Sequence, residues 1–167
     1  GVVDFSGTVA FSADLQFDGA IDRGTMTYHD LFIRGTGLNH NEDREVRVNG
    51  AANMVSNGRG LRLVIFNKGN LSVVSNNNYD TYGDSSASNN LATALNNMTE
   101  QQIGVLTSYD AFENQYTTSL RQAFWKLGLS KAALVSSGTA GNRQSYCSVF
   151  LGGSNNDGNR HAIEVHQ

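Results

Sequence analysis

The chain has 167 residues, 15 acidic against 12 basic side chains for a formal charge of −3, a single cysteine and no proline. That length fits one domain plus a small appendage, with a core large enough to need neither metal nor disulfide staples. The weak negative charge, with no basic stripe interleaved with aromatics, excludes nucleic acid as a partner, and no apolar run approaches the ~20 residues of a membrane-inserting helix.

The chain opens on strict alternation. From Val3 to Ile21 every odd position is apolar or glycine, and the even ones are mostly polar. Two-residue alternation puts one row on each face of a strand, and at about 3.3 Å per residue one unbroken strand would reach roughly 60 Å, about three times a usual globular strand. The expectation is therefore that residues 1–24 form an extended fibre-shaft or oligomerisation segment, whose chains associate as a homo-oligomer, a trimer. Asp22-Arg23-Gly24 marks the boundary, and residues 25–167 form the head domain.

Residues 27–34 then read as a strand, 35–42 as a polar loop and 44–48 as a second strand with Val46 and Val48 on one face. Asn49-Gly50 is a hairpin turn pair. Residues 61–67 are dense and apolar, as a buried central strand reads, and residues 71–75 supply its hairpin partner. Ser85 or Ser86 caps a helix carrying Ala87, Leu91, Ala94, Leu95 and Met98 as one stripe. Another apolar strand covers 103–108. A second helix spans roughly 116–127 with Leu120, Ala123, Phe124 and Leu127 inward and Gly128 as its stop. Short strands near 131–135, 147–151 and 162–165 close the chain. The class is α/β: a sandwich of sheets with two main helices, preceded by the extended β segment.

Enzyme signatures are missing: there is no GxSxG elbow, no phosphate loop with its lysine and no HExxH. No catalytic residue and no cofactor are assigned. Asn39, Asn41 and Asp43 alternate like the opening of a calcium loop, but Arg44 stands where its glycine belongs and Gly50 where its closing glutamate belongs, so no metal is assigned either. Cys147 reads as a small buried filler. Arg59 between two glycines reads as a structural ion pair or a hydrogen bond to a loop carbonyl, and Asp80 as a turn residue bonding its own backbone.

The series VNGAANMVSNGRGLRLVIFN, YDTYGDSSASNNLATALNNM, IGVLTSYDAFEN, LRQAFWKLGLS and SVFLGG, in that order, resembles the interleukin-like EMT inducer domain, also described as the pancreatic-derived-factor-like or GG domain. The resemblance covers roughly residues 27–165. It implies a β-β-α sandwich without catalytic machinery, used in secreted cytokine-like proteins, as an accessory module of carbohydrate-active enzymes and in bacteriophage tail proteins. In the stem of a mammalian N-acetylglucosaminyltransferase a similar domain binds sugar through an acid just after a strand and an arginine in a later loop. The matching positions here are Asp110 and Arg143. Secreted animal members carry paired cysteines, and this chain has one.

The resemblance, with the residue types that sugar recognition needs, gives a candidate glycan site of Asp110, Glu113, Asn114, Arg143, Tyr146 and Tyr82. Carboxylate, amide and guanidinium serve vicinal hydroxyls, and an aromatic face serves the C–H side of a sugar ring. The expected function is a non-catalytic virion tail-fibre or tail-tip module that attaches to a host surface glycan or receptor. The alternatives are a secreted cytokine-like or extracellular protein-interaction module, and a structural spacer of a virion.

Overall fold

The computed structural model describes residues 2–5 (backbone only), 29–38, 42–135, 143–153 and 161–166. Among these residues eight strands and three helices follow in chain order: β1 (Val2–Phe5), β2 (Leu31–Thr36), β3 (Glu45–Val48), β4 (Gly60–Asn67), β5 (Val73–Tyr79), α1 (Ser85–Asn96), β6 (Gln102–Tyr109), α2 (Thr118–Lys126), α3 (Ser130–Leu134), β7 (Tyr146–Leu151) and β8 (Ala162–His166). They form a three-stranded sheet, β1-β2-β3, and a five-stranded sheet, β5-β4-β6-β7-β8. All pairings between these strands are antiparallel.

The layering follows from the alternation within the central strands. On β4, β6 and β7, Leu61, Leu63, Ile65, Leu106, Tyr146 and Phe150 pack with the helices in one cluster. Their neighbours Val64, Phe66, Ile103, Val105, Cys147 and Val149 point the other way and meet Leu31, Ile33, Val46 and Val55. The large sheet is thus covered by helices on one face and by the small sheet on the other. This is the expected β-β-α sandwich with two main helices.

The helices sit where their stripes require. Leu91, Ala92 and Leu95 of α1 and Leu120, Ala123 and Phe124 of α2 are buried. Asp84, not Ser85 or Ser86, is the N-cap of α1, its carboxylate accepting from the Ser86 N–H. Thr117 caps α2, and Gly128 (φ 80°) follows its end. One buried hydroxyl bridges the two sheets: Ser108 Oγ donates to the Thr36 carbonyl at 3.1 Å and accepts the Tyr146 N–H at 2.8 Å.

Several expectations change. Residues 131–135 are not a strand: Ser130–Leu134 is the short helix α3, because Glu164 of β8 accepts the N–H groups of Lys131 and Ala132 and gives it an N-terminus. Gly35 and Thr36 belong to β2 rather than to a loop. β5 runs on to Tyr79 instead of stopping at 75, because the side chains of Asn76 and Asn78 find partners in Arg62, Met54, Arg44 and Arg59. Asn49-Gly50 does turn the chain (φ 53° and 69°), but the returning segment hugs β3 through the Asn53 side chain without forming a strand.

Val2–Phe5 pair with β2 of their own chain, from Val2 beside Thr36 to Phe5 beside Ile33. The remainder of the alternating stripe, the boundary at 24 and Asn39 and Asn41 lie outside the described residues.

Candidate functional site

Antiparallel register brings four chain segments to one end of the large sheet. β4 begins there, with Gly60 beside Tyr109 at the end of β6 and Leu61 beside Tyr79 at the end of β5. Thr107 pairs with Cys147, so β7 begins there too. The residues just outside these strand ends are therefore neighbours: Arg59, the turn 80–84, the loop 110–117 and Arg143.

Their side chains form a charged cluster around one ring. Arg59 holds Asp80 by two hydrogen bonds, Nε–Oδ1 at 3.0 Å and Nη2–Oδ2 at 2.6 Å. Asp80 also accepts the Gly83 N–H at 2.9 Å. Arg143 Nη1 reaches Asp110 Oδ1 at 3.3 Å. Both guanidinium carbons lie over the Tyr82 ring, 5.2 Å (Arg59) and 5.5 Å (Arg143) from its centroid. Asn114 Nδ2 donates to the Tyr82 carbonyl at 3.1 Å. The four charged side chains are between 30% and 44% exposed, so the cluster is open to a ligand.

Electrostatics separates the two pairs. The hydrogen bonds from Arg59 hold the Asp80 carboxyl below its ordinary range, and the same bonds raise Arg59. The bidentate pair is the fixed one. The Asp110–Arg143 contact is single and longer, which leaves most of the Arg143 donors and one Asp110 oxygen without a partner among the described residues. Asp110 sits at φ 62°, a left-handed conformation that aspartate tolerates better than most residues.

Of the six candidate residues, Asp110, Asn114, Arg143 and Tyr82 come together here. Tyr146 does not: its ring is fully buried on the helix face of β7, and its hydroxyl donates to Glu164 Oε1 at 2.8 Å. Glu113 points inward, 3% exposed, with Oε2 accepting the Phe112 N–H at 2.8 Å and Oε1 without a partner among the described residues. Arg59 and Asp80 are the additions. The structural ion pair read for Arg59 is there, and it also covers the Tyr82 ring. The glycines flanking Arg59 in sequence were the available signal. Among the described residues no group of three His, Cys, Asp or Glu side chains is placed to hold a metal ion.

The model of the interleukin-like EMT inducer family matches residues 59–154. The chain belongs to this family. The matched stretch of this interleukin-like EMT inducer domain contains every residue of the charged cluster, from Arg59 to Arg143. No curated protein matches the chain.

Glu113 gives the domain a pH signature. Burial raises its carboxyl above the ordinary value of 4.5, against the opposing pull of the backbone N–H of Phe112. A carboxyl raised in the folded state contributes its stability below the unfolded value and loses it as pH rises through the folded one. Glu113→Gln keeps an oxygen for the Phe112 N–H and removes the charge. The expected result is a higher melting temperature at pH 7, little change at pH 4, and a flatter stability profile from pH 4.5 upward, read by thermal denaturation across pH.

Proposed function

We propose that this domain is a non-catalytic attachment module that binds a host surface glycan at the Asp110–Arg143–Tyr82 cluster, as part of a virion tail fibre or tail tip. The observation that supports it most is the loose, single-contact Asp110–Arg143 pair, half-exposed beside a tyrosine and an asparagine. An acid and a guanidinium with unspent valences grip a vicinal diol: the carboxylate accepts one hydroxyl proton and the guanidinium donates to the other oxygen. The Tyr82 ring is roofed by two cations, so a sugar stacks on it only if Arg143 swings aside.

The tail-fibre setting and the trimer rest on the alternating stripe and on a proline-free composition with 18 glycines. Burying an apolar row between chains stabilises an assembly by about 25 cal/mol per Å². Val2–Phe5 pair with β2 of their own chain, which counts against those four residues as part of such a shaft. Sedimentation of the whole chain as a monomer would remove this part of the proposal.

The test of the site is a glycan array, followed by titration of the best ligand by NMR. Binding is expected to fall at least about tenfold in Arg143→Ala and in Asp110→Asn, the loss of one charge-assisted hydrogen bond, with both variants folded. No binding to wall glycans, lipopolysaccharide or host cells favours the spacer reading, and binding unchanged in both variants moves the site elsewhere.

A further inference from the structure

Away from that cluster, Arg44 enters the seam between the two sheets at the start of β3. Its side chain is fully buried. Nε donates to the Ser56 carbonyl at 2.8 Å and Nη2 to Asn78 Oδ1, while Nη1 is buried and has no partner among the described residues. A second guanidinium comes to the same place: Arg62 donates to Asn76 Oδ1 at 2.6 Å and, through Nη1, to the Ser56 carbonyl and hydroxyl at 3.4 and 3.2 Å. No carboxylate among the described residues pairs with either. Asp43, adjacent in sequence, accepts from the Asn57 amide instead. The Tyr109 ring also lies close, 6.0 Å from the Arg44 guanidinium carbon.

Two like charges sharing one carbonyl, one of them out of contact with water, is an unfavourable arrangement unless an anion compensates it. Burial first, and then Arg62, lower Arg44 to about 9, so it remains a cation at neutral pH. A buried donor without a partner is the mark of a bound ion or water, and the uncompensated charge favours the ion. The Ser56 carbonyl and hydroxyl and the Asn76 and Asn78 amide oxygens accept from the two guanidiniums, so the donors an anion would meet are the guanidiniums themselves, with no carboxylate among the described residues to compete for them.

We propose that the Arg44–Arg62 seam is a binding site for a small monovalent anion of the halide class, which completes the coordination of Arg44 Nη1 and ties the small sheet to β5. A weakly hydrated halide sheds its water to enter a closed seam; a strongly hydrated dianion does not. The site is separate from the glycan cluster and does not depend on it.

The experiment titrates the whole chain with chloride and bromide against fluoride and sulfate at equal ionic strength, following melting temperature and the ³⁵Cl NMR line width. Chloride and bromide are expected to give a saturable rise, roughly 5–10 °C when the anion stands at a hundredfold its Kd, together with broadening of the chloride line. Arg62→Gln is expected to retain the fold and weaken the effect at least about tenfold. Arg44→Gln, if it folds, should abolish it. The same response to chloride and fluoride without line broadening, or a saturable response unchanged in Arg62→Gln, overturns the proposal and leaves Nη1 to an internal water.

Discussion

Replacing Gly60 by alanine is expected to destabilise the domain by about 3–4 kcal/mol. Gly60 opens β4 at φ 101°, a conformation open to glycine alone among ordinary residues. A Cβ there would lie 2.0 Å from the Tyr79 carbonyl oxygen and 2.8 Å from the Asp80 Cα, both backbone atoms that cannot step aside. The strain falls where β4, β5 and the Asp80 turn meet, so the Arg59–Asp80 pair is disturbed as well. Gly50 is the matched control: its φ is also positive, at 69°, but nothing lies within 4 Å of an added Cβ. Gly50→Ala should cost only the backbone term, about 1–2 kcal/mol. Urea denaturation of both variants measures the gap, and equal losses would contradict the clash.

The second large effect is expected at Glu164 on the edge strand β8. Its carboxylate accepts from the N–H groups of Lys131 (2.9 Å) and Ala132 (3.0 Å), from Ser130 Oγ (3.4 Å) and from the Tyr146 hydroxyl (2.8 Å). It therefore supplies the cap that α3 lacks from its own N-cap residue, Leu129, and satisfies a phenol buried in the core. Glu164→Ala removes both, at about 2–4 kcal/mol, of which a lost cap is about 1 and a stranded buried hydroxyl 1–3. Adding Tyr146→Phe to Glu164→Ala should recover part of the loss, because the stranded donor disappears. A double-mutant cycle by chemical denaturation reads this directly. Additive losses would mean that Tyr146 finds another acceptor.

Legibility in the sequence followed the physics of each segment. β4 and β6 declared themselves because each centres on a short dense apolar run whose faces are both buried; α2 did so because its stripe and Gly128 agree. The second half of β5 was hidden, since its asparagines look like loop residues until Arg44, Arg59 and Arg62 are placed opposite them. The short apolar run at α3 carries no period, and Glu164, more than 30 residues away, decides its form. In the site, the meeting of Asp110 with Arg143 was readable only through the family resemblance. The inward turn of Tyr146 and Glu113 depends on which face of the sheet the helices take, and local pattern does not encode that. Nothing in the sequence marked Arg44 as buried, because a polar residue at a strand start is ordinarily solvated.

The family match begins at residue 59, yet the floor beneath its central sheet is laid by β2, β3 and Val55, all upstream of that point. Ser108 is anchored to Thr36, two residues before Asp110, and the Leu38 N–H donates to the Arg143 carbonyl at 3.2 Å. Both arms of the candidate glycan grip are thus braced from outside the recognised stretch. An excised fragment starting at residue 59 would uncover a greasy underside and let its two gripping residues drift apart, so the smallest unit worth expressing reaches back at least to Leu31.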